Sequence, residues 1–508
     1  MKSRELLQKS LGIEQDVDIQ VSGISIDSRT TEPGNVFVAI PSAIDHTTEA
    51  IAKGAALIIH EGEALQNSEN AQIPPEISSS PELAPSFVAV NNARLVAAKL
   101  CQHFYTPIPE KLLAVTGTNG KSSTVMMASQ ILSLLKIPSA SLGTLGVNIP
   151  DIQSFPDLAN IDAPPLTTYD PVNLHKILQR LAHSNISCAA IEATSHGLDQ
   201  RRLDGLQFDA VALTNVTQDH LDYHHTMDAY LAAKLRLFSD LTKKSSSAIL
   251  NETSPTLFFD MCLSKMLNVI TYGINPSSNL FVSNKKSFSG TLRFDLRIYG
   301  QTFQNVVYNG IGSFQIENLL CAIGLILGAY PNLPLDDIVA TIPHISPVPG
   351  RMELVGRHNN ADIYVDFCHT PDALYKVLSE LNKVPHNSLI VVFGCGGDRD
   401  KTKRPQMGAI ADKLASRVIV TDDNPRFEDP ASIRQDILSG ISNLSKTSEI
   451  PDRKAAISQA IADLGKGDIL LVAGRGHELY QKTREKCIPF SDKKYVEEVI
   501  EWMKICRK

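Results

Sequence analysis

One stretch, in which an apolar strand ends in a glycine turn and leads into a helix, constrains this chain most. The strand covers residues 112–116. Backbone N–H groups in such a turn cradle phosphate oxygens, and the positive end of the following helix assists them. In this pattern Lys121 lies on the outer phosphates, and Ser122 or Ser123 holds Mg²⁺. We therefore predict a nucleoside triphosphate site formed by Gly117, Thr118, Asn119, Gly120, Lys121, Ser122 and Ser123.

The spacing of this loop departs from the common P-loop pattern. Val115 stands where the first glycine of that pattern belongs. An ordinary glycine-rich turn between a strand and a helix is the alternative interpretation. The combination of strand, lysine, hydroxyls and helix favours phosphate binding.

Charge and hydropathy exclude several classes of protein. The 508 residues carry 48 Lys and Arg against 55 Asp and Glu, a net charge of −7 with no basic block. Non-specific electrostatic binding to nucleic acid or acidic membranes is therefore disfavoured. Because no apolar run is long enough to span a membrane and residues 1–5 lack a signal-peptide core, we expect a cytoplasmic location. The eight cysteines show no metal-like pairing, so we expect buried free thiols.

The chain alternates strands and helices, which predicts three α/β domains with mainly parallel sheets. Linker-like segments at 105–109 and 347–351 suggest domains at 1–106, 107–343 and 344–508. The segment 66–86, rich in Pro, Ser and Glu, is expected to be an exposed, mobile insertion. Strands of such sheets end where ligands bind. We predict strands at 36–40, 56–60, 87–90, 187–191, 210–214, 248–250, 389–393, 417–421 and 469–473.

Two clusters of acidic residues and histidines follow predicted strands of the middle domain. Glu192 begins the first, and the second runs over 214–222 and contains His220. Acidic residues that follow strands near a phosphate loop are typical Mg²⁺ ligands, although Asp and His also cap helices and form turns. Lys234 lies in a helical stretch and is by default a solvated surface charge.

The motifs in 116–122, 192–196, 214–224, 366–372, 394–400, 423–426 and 474–478, taken in order, resemble those of the Mur ligase family. This family builds the peptide stem of bacterial cell-wall precursors. The resemblance runs from Asp27 to about Asp492, and it implies a three-domain architecture with a central P-loop-type sheet and a Rossmann-like C-terminal domain.

The resemblance also implies roles for individual residues. Lys121, Glu192, His220 and Lys234 would be catalytic, with Lys234 carbamylated by CO₂. Mg²⁺ would be held by Ser122, Glu192, His220 and the carbamate. Besides the phosphate loop, Asn318 and Arg351 would contact ATP. The UDP-sugar peptide would be bound by Ser28, Thr167, Thr168, Thr194, Gln200 and Arg202, and the amino acid by Arg399, Asp423, Asn424, Pro425, Arg426, Gly474 and Glu478.

Through the C-terminal motifs, the family resemblance also implies the reaction: ATP-dependent addition of meso-2,6-diaminopimelate to the D-glutamate γ-carboxyl of UDP-N-acetylmuramoyl-L-alanyl-D-glutamate, through an acyl phosphate. Diaminopimelate differs from L-lysine by one carboxylate, which a guanidinium binds bidentately. Arg426 supplies that guanidinium, unless it only pairs with nearby Glu428 or Asp429. Both partners are small molecules, and we expect a monomer without nucleic-acid partners or membrane insertion.

Several positions depart from the family pattern. Tyr169 replaces the usual proline, the Asp-Gly-His element is reduced to Asp45-His46, and Phe367-Cys368 and Arg475 replace Tyr-Ala and Lys. These departures concern local contacts rather than the chemistry. The alternatives are another ligase of this architecture, such as a folylpolyglutamate synthase or a murein tripeptide-recycling ligase, or a nucleotide-binding scaffold without turnover.

Overall fold

The protein is described here by a computed structural model, which covers residues 1–13, 18–62, 85–288, 290–484 and 486–506. These residues form three main β-sheets of four, ten and six strands, with a separate hairpin. The predicted insertion at 66–86 lies outside the described residues, except for its last two positions.

The first sheet is entirely parallel and has the strand order β1-β2-β3-β4. Its longest helix packs beneath it through small and apolar residues such as Ala97 and Leu100. The strands are Gly23–Ser25, Asn35–Ala39, Leu57–Glu61 and Ser86–Val90, and the helices are Ser3–Leu11, Thr47–Ala52 and Ala93–Phe104.

The central sheet has the order β14-β13-β12-β11-β10-β9-β5-β8-β6-β7. Its middle strands are parallel, whereas β7, β13 and β14 extend the two edges in antiparallel fashion. The strands β5 to β14 are Lys111–Thr116, Ser139–Gly143, Gly146–Asn148, Cys188–Glu192, Phe208–Leu213, Thr242–Asn251, Asn268–Gly273, Leu280–Phe288, Thr291–Ile298 and Gln301–Tyr308.

Helices cover both faces of this sheet. Alternate residues of β5 enter opposite cores: Leu113 and Val115 pack on one face, and Leu112 and Ala114 on the other. This two-sided burial explains the continuous apolar run before the phosphate loop. The helices are Lys121–Leu134, Pro171–His183, Ser195–Asp199, Leu221–His224, Met227–Ser239, Thr256–Ser264, Ser313–Ala329 and Leu335–Thr341.

The C-terminal sheet has the order β15-β16-β20-β17-β18-β19, and only β15 runs antiparallel. Strands β15 to β20 are Glu353–His358, Ala361–Asp366, Leu389–Phe393, Arg417–Val420, Thr447–Glu449 and Ile469–Ala473, and the hairpin strands β21 and β22 are Tyr480–Thr483 and Lys486–Pro489. The helices are Pro371–Leu381, Lys403–Leu414, Pro430–Leu438, Arg453–Ala462 and Asp492–Cys506.

Short 3₁₀ helices complete the backbone. They are Ser28–Thr30, Ile44–His46, Ile152–Ser154, Pro156–Leu158, Ile342–His344 and Leu444–Lys446. Among the described residues, no helix has the length and apolar character needed to cross a membrane.

The predicted α/β class and the three-sheet arrangement are confirmed, and each sheet lies within one predicted domain range. The domain boundaries themselves stay predictions. The predicted strands occur with ends shifted by a few residues, and that at 248–250 is the end of the much longer β10. Six cysteines are buried and free, as expected, but the expectation is wrong for Cys487, which is exposed on the hairpin.

Candidate active site

A cavity of about 480 Å³ lies between the central and C-terminal sheets. Its walls are formed by residues that follow β5 and β8 of the central sheet and β17 and β20 of the C-terminal sheet. Eighteen of the predicted site residues line it: Thr118, Asn119, Gly120, Lys121, Ser122, Ser123, Thr167, Glu192, Thr194, His220, Asn318, Arg351, Arg399, Asp423, Asn424, Arg426, Gly474 and Glu478.

Two glycines allow the phosphate loop to pack against neighbouring segments. Gly117 and Gly120 have φ values of 144° and 88°, a region that side chains disfavour. A Cβ on Gly117 would lie 1.9 Å from Thr214 Oγ1, and one on Gly120 would lie 2.3 Å from Asn318 Oδ1. The helix begins immediately afterwards at Lys121, so its first N–H groups lack intrahelical partners and face the cavity end.

Asn215 holds the loop from the next strand end. Its carbonyl oxygen accepts from the Thr118 N–H at 2.9 Å, and its Oδ1 accepts from the Asn119 N–H at 3.0 Å. Thr118 Oγ1 also contacts the Tyr230 hydroxyl at 3.0 Å. The loop is therefore fixed by its own domain before any ligand binds.

Both predicted catalytic lysines contact this loop. Lys121 Nζ donates to the carbonyl oxygens of Gly117 and Thr118, each at 2.8 Å, and Lys234 Nζ donates to that of Gly117 at 2.9 Å. Burial lowers the pKa of both amines, and the charge of Lys121 lowers the pKa of Lys234 further. Lys234 is 1% exposed, so its interpretation as a solvated surface charge is wrong.

Glu192, at the end of β8, is held by Thr144. The Thr144 N–H donates to Glu192 Oε1 at 2.8 Å, and the Thr144 hydroxyl donates to Oε2 at 3.2 Å. A Cβ on Gly143 would lie 2.1 Å from Oε1, so the carboxylate requires glycine there. The carboxylate is 1% exposed.

The residues predicted to hold Mg²⁺ include Glu192 and His220. His220 Nε2 lies 3.4 Å from Asp219 Oδ2, and burial lowers the pKa of His220, which favours the neutral imidazole that metals bind. Within the described part of the chain, no three Asp, Glu, His or Cys side chains are grouped to hold a metal. Glu192 and His220 therefore fit Mg²⁺ only if phosphate oxygens and a carbamate on Lys234 add ligands.

A hydrogen-bonded network connects most residues predicted to bind the sugar peptide. Thr168 Oγ1 donates to the Glu192 carbonyl oxygen at 2.8 Å and contacts Thr194 Oγ1 at 2.9 Å. Arg202 donates to the Thr168 carbonyl oxygen at 2.6 Å and to Gln200 Oε1 at 2.7 Å. Thr167 joins through Thr144, with 3.1 Å between their hydroxyls.

Ser28 lies apart from this network, in the first domain. It is 3% exposed, and its hydroxyl donates to Glu49 Oε2 at 2.7 Å. Ser28 does not line the cavity, and neither do Gly117, Thr168, Gln200, Arg202, Lys234 and Pro425.

Two contacts bring the C-terminal part of the chain to the phosphate loop. Arg351 donates to Ser122 Oγ at 3.2 Å, and its guanidinium lies 4.4 Å above the Phe367 ring. The Asn119 side-chain amide donates to Asp372 Oδ2 at 3.1 Å. Asn318, the other residue predicted to contact ATP, donates to Gln315 Oε1 at 3.0 Å.

The predicted amino-acid pocket combines two loops. Asn424 donates to Glu478 Oε2 at 2.7 Å, which joins the loop after β18 to the loop after β20. Burial and the charge of Asp423 raise the pKa of Glu478. A Cβ on Gly474 would lie 2.7 Å from Asp423 Oδ2.

Arg426 points into the same pocket. Its Nη1 donates to the Gly397 carbonyl oxygen at 2.6 Å. Burial lowers the pKa of Arg426, and the positive charge of Arg399, which also lines the cavity, lowers it further. Two adjacent cations of this kind suit a ligand with two carboxylates.

The alternative in which Arg426 only pairs with Glu428 or Asp429 is wrong. Glu428 instead accepts from Arg404 Nη2 at 2.9 Å and pairs with Lys401. Asp429 caps the helix Pro430–Leu438 by accepting from the Ser432 N–H.

Family models match two parts of the chain. A model described as "Mur ligase middle domain" matches residues 115–326, and one described as "Mur ligase, glutamate ligase domain" matches residues 350–476. The UDP-N-acetylmuramoyl-L-alanyl-D-glutamate–2,6-diaminopimelate ligase of Rickettsia prowazekii is 40% identical over 491 residues, 94% of this chain and 95% of that protein. The chain belongs to the Mur ligase family.

Two further comparisons agree with this Mur ligase assignment. The ligase of the same name from Bradyrhizobium diazoefficiens is 37% identical over 504 residues, 97% of each protein. A solved structure of a ligase of that name covers 99% of this chain and 100% of its own, with 30% identity and a TM-score of 0.66.

Several contacts of this Mur ligase were not predicted from its sequence. Thr144 and Asn215 were assigned no role, although they hold Glu192 and the phosphate loop. Asp366 accepts from the Met352 and Cys368 N–H groups at 2.6 and 2.7 Å and shapes the turn beside Arg351. Asp366 lies at the end of a strand and in one of the motifs that carry the family resemblance. That position could have indicated its role.

The departures from the family pattern are accommodated locally. The Tyr169 hydroxyl donates to the Gly143 carbonyl oxygen at 3.2 Å. Phe367 and Cys368 line the cavity, and Phe367 packs against Arg351. Asp45-His46 lie in the short helix Ile44–His46.

Proposed function

We propose that this chain is an ATP-dependent acid–amino-acid ligase of peptidoglycan precursor synthesis. It joins meso-2,6-diaminopimelate to the D-glutamate γ-carboxyl of UDP-N-acetylmuramoyl-L-alanyl-D-glutamate. The observation that carries this proposal is the similarity, over almost the whole of both chains, to ligases named for this reaction. The cavity supports it, because a phosphate loop and a pocket with two arginines open into one space.

The first step activates a poor acylating agent. A γ-carboxylate oxygen of the dipeptide attacks the γ-phosphorus of ATP, and the bond from that phosphorus to the β-phosphate oxygen breaks. ADP departs, and the dipeptide then carries an acyl phosphate. In this proposal Lys121 turns from the loop carbonyls to the γ-phosphate and neutralises charge that develops there. The Arg351 guanidinium, already at Ser122, adds a second positive charge beside the nucleotide.

Mg²⁺, when bound, would neutralise phosphate charge and orient the phosphates. Ser122, Glu192 and His220 are the residues proposed to hold it. Lys234 joins them as a carbamate, which changes a cation into an anion. The buried environment that lowers its amine pKa favours the neutral amine needed to capture CO₂.

The second step forms the amide. The reacting ammonium group of the amino acid first gives one proton to solvent and becomes a free amine. The amine nitrogen attacks the carbonyl carbon of the acyl phosphate, the tetrahedral intermediate expels phosphate, and the nitrogen gives a second proton to solvent. Asp423 and Glu478 bind the incoming ammonium, and Arg399 binds the nearby carboxylate. Arg426 binds the far carboxylate that L-lysine lacks.

The remaining predicted contacts complete the substrate site. Thr167, Thr168, Thr194, Gln200 and Arg202 bind the sugar peptide, and Ser28 binds the uridine end. Since nucleotide, sugar peptide and amino acid are bound by different parts of the chain, closure brings the acyl phosphate to the amine. We propose a cytoplasmic monomer, where ATP and the UDP-linked precursor are available.

The test is release of phosphate from ATP in the presence of Mg²⁺, the UDP-linked dipeptide and a panel of amino acids. We expect release only with all components and with meso-diaminopimelate far ahead of L-lysine. Turnover with folate and glutamate would instead favour a folylpolyglutamate synthase. Nucleotide binding without turnover would instead favour a non-catalytic, nucleotide-binding scaffold protein.

A further inference from the structure

Two buried arginines lie behind the predicted amino-acid pocket and do not contact the cavity. Arg453 and Arg475 are 2% and 0% exposed, and the carboxylate between them, Asp492, is 0% exposed. Arg453 donates to Asp492 Oδ1 and Oδ2 at 2.8 and 2.7 Å. Arg475 Nε lies 3.9 Å from Asp492 Oδ1.

Each arginine also holds a pocket loop. Arg453 Nη2 donates to the carbonyl oxygen of Ala473, which immediately precedes Gly474, at 2.9 Å. Arg475 Nη1 donates to Asn424 Oδ1 at 3.1 Å, and its Nη2 donates to the Phe490 carbonyl oxygen at 3.1 Å.

Asn424 transmits this support to the cavity. Its Oδ1 accepts from Arg475 and from the Lys482 N–H at 2.8 Å, which fixes the orientation of the amide. With Oδ1 turned inward, its Nδ2 points at Glu478 Oε2 and donates at 2.7 Å. Arg475 therefore helps to orient the Glu478 carboxylate through Asn424, although it does not line the cavity.

The charges of this cluster are also complementary to a ligand. Two guanidinium groups, Arg453 and Arg475, face three carboxyl groups, Asp423, Glu478 and Asp492. Arg426 faces Asp423 and Glu478 as well, so with all of these groups ionised the three guanidinium and three carboxylate charges balance. A ligand that carries an ammonium group beside Asp423 and Glu478 and a carboxylate beside Arg426 keeps this balance, because each of its charges meets the opposite charge.

We infer that Arg475 is a positioning residue for the ammonium end of the amino-acid substrate, acting through Asn424 and Glu478 with Asp492 and Arg453 as its support. This inference rests on the proposed function, because it assumes that the pocket binds an amino acid. It adds a residue outside the cavity to those that determine amino-acid binding.

The test compares Arg475→Met and Arg475→Lys with the wild-type enzyme and with Arg417→Met. Arg417 pairs with Asp463 at the start of β18, away from the pocket loops, so this control removes a cation from the same sheet. We expect Arg475→Met to raise the KM for diaminopimelate about tenfold or more, with the KM values for ATP and UDP-dipeptide within about twofold. The KM of Arg475→Lys for diaminopimelate should lie between those of the wild type and Arg475→Met, because the lysine ammonium retains the charge and one hydrogen bond.

A second readout is the pH profile of kcat/KM for the amino acid. Burial and Asp423 raise the pKa of Glu478, and Asn424, Arg475 and Arg426 oppose this. Loss of the Arg475 charge should therefore move the acid limb of the profile to higher pH. Arg417→Met should leave the limb in place.

Unchanged KM and pH profile in Arg475→Met would overturn the inference, as would an equal rise in all three KM values. If Arg475→Met does not fold, Arg475→Lys decides by the KM for diaminopimelate, which should rise while the other two KM values do not; an unchanged KM for diaminopimelate in Arg475→Lys would then overturn the inference. If the wild-type enzyme uses L-lysine, the specificity part of the proposed function fails, and the comparison is made with lysine, whose ammonium group still tests Arg475.

Discussion

Lys121 and Lys234 donate to the same backbone atom, the carbonyl oxygen of Gly117, at 2.8 and 2.9 Å. Two ammonium groups on one oxygen repel each other, and the charge of Lys121 lowers the pKa of Lys234. Carbamylation of Lys234 would replace this repulsion by attraction. The positive charge of Lys121 therefore favours the neutral amine of Lys234 before CO₂ capture and the anionic carbamate of Lys234 after it.

The first prediction concerns Lys121→Ala. We expect kcat to fall by about 10²–10³-fold, because the γ-phosphoryl charge loses its fixed counter-charge. Coupled measurement of ADP release provides the test. Lys111→Ala is the control, since Lys111 lies at the opposite end of β5 and pairs with Asp209. Full activity of Lys121→Ala would contradict the phosphate-loop assignment.

The second prediction concerns Lys234→Ala. We expect near-complete loss of activity and partial recovery when acetate is added, because the small carboxylate replaces the carbamate. Acetate should not restore Lys121→Ala. Lys243→Ala, which removes a half-exposed lysine paired with Asp209, should retain activity without acetate. If Lys234→Ala is active without a carboxylate, the carbamate has no role.

The sequence predicted the parts of the site that have local signals. The phosphate loop was found because an apolar strand, two glycines, a lysine, two hydroxyls and a predicted helix start occur within twelve residues. Glu192 and His220 were found as polar residues that follow strands. Their assignment to Mg²⁺ is still a prediction, because it depends on ligands that this chain does not supply alone.

Other features depend on contacts between distant segments. The support of Glu192 by Thr144 joins residues 48 positions apart, and neither has a local pattern that predicts the pair. The burial of Lys234 could have been suspected, because Tyr230 and Phe238 lie one helical turn away on either side and share its buried face. The antiparallel pairing of β13 with β12 and β14 was not predicted, because the alternation of strands and helices indicated only a mainly parallel sheet.

The third prediction concerns stability and pH. Glu428 accepts from Arg404, which is 1% exposed, and this hydrogen bond lowers the pKa of Glu428 to about 2. A lowered folded-state pKa contributes stability above the unfolded value of about 4.3, and that contribution is lost as the pH falls through about 2. Glu428→Gln should therefore lower the thermal unfolding temperature at pH 7.

The difference in thermal unfolding temperature between Glu428→Gln and the wild type should become smaller between pH 4 and pH 2, as measured by scanning calorimetry. Glu501→Gln is the control, because Glu501 and its partner Lys504 are both well exposed. A difference that stays constant down to pH 2 would contradict the role of the ionised Glu428 carboxylate.

The fourth prediction concerns the choice of amino acid. Meso-diaminopimelate should exceed L-lysine in kcat/KM by a factor on the order of a thousand, because lysine leaves the partly buried Arg426 guanidinium without its carboxylate. Arg426→Ala should lose most of this discrimination through a higher KM for diaminopimelate. The KM values for ATP and UDP-dipeptide should change little.

The matched control for the fourth prediction is Arg357→Ala, which removes an exposed arginine from the same sheet. It should leave the preference for diaminopimelate unchanged. Arg426 lines the cavity, and its Nη1 is oriented by the hydrogen bond to the Gly397 carbonyl oxygen. A wild-type preference for L-lysine, or an unaltered preference in Arg426→Ala, would contradict the specificity assignment and leave the ligase chemistry intact.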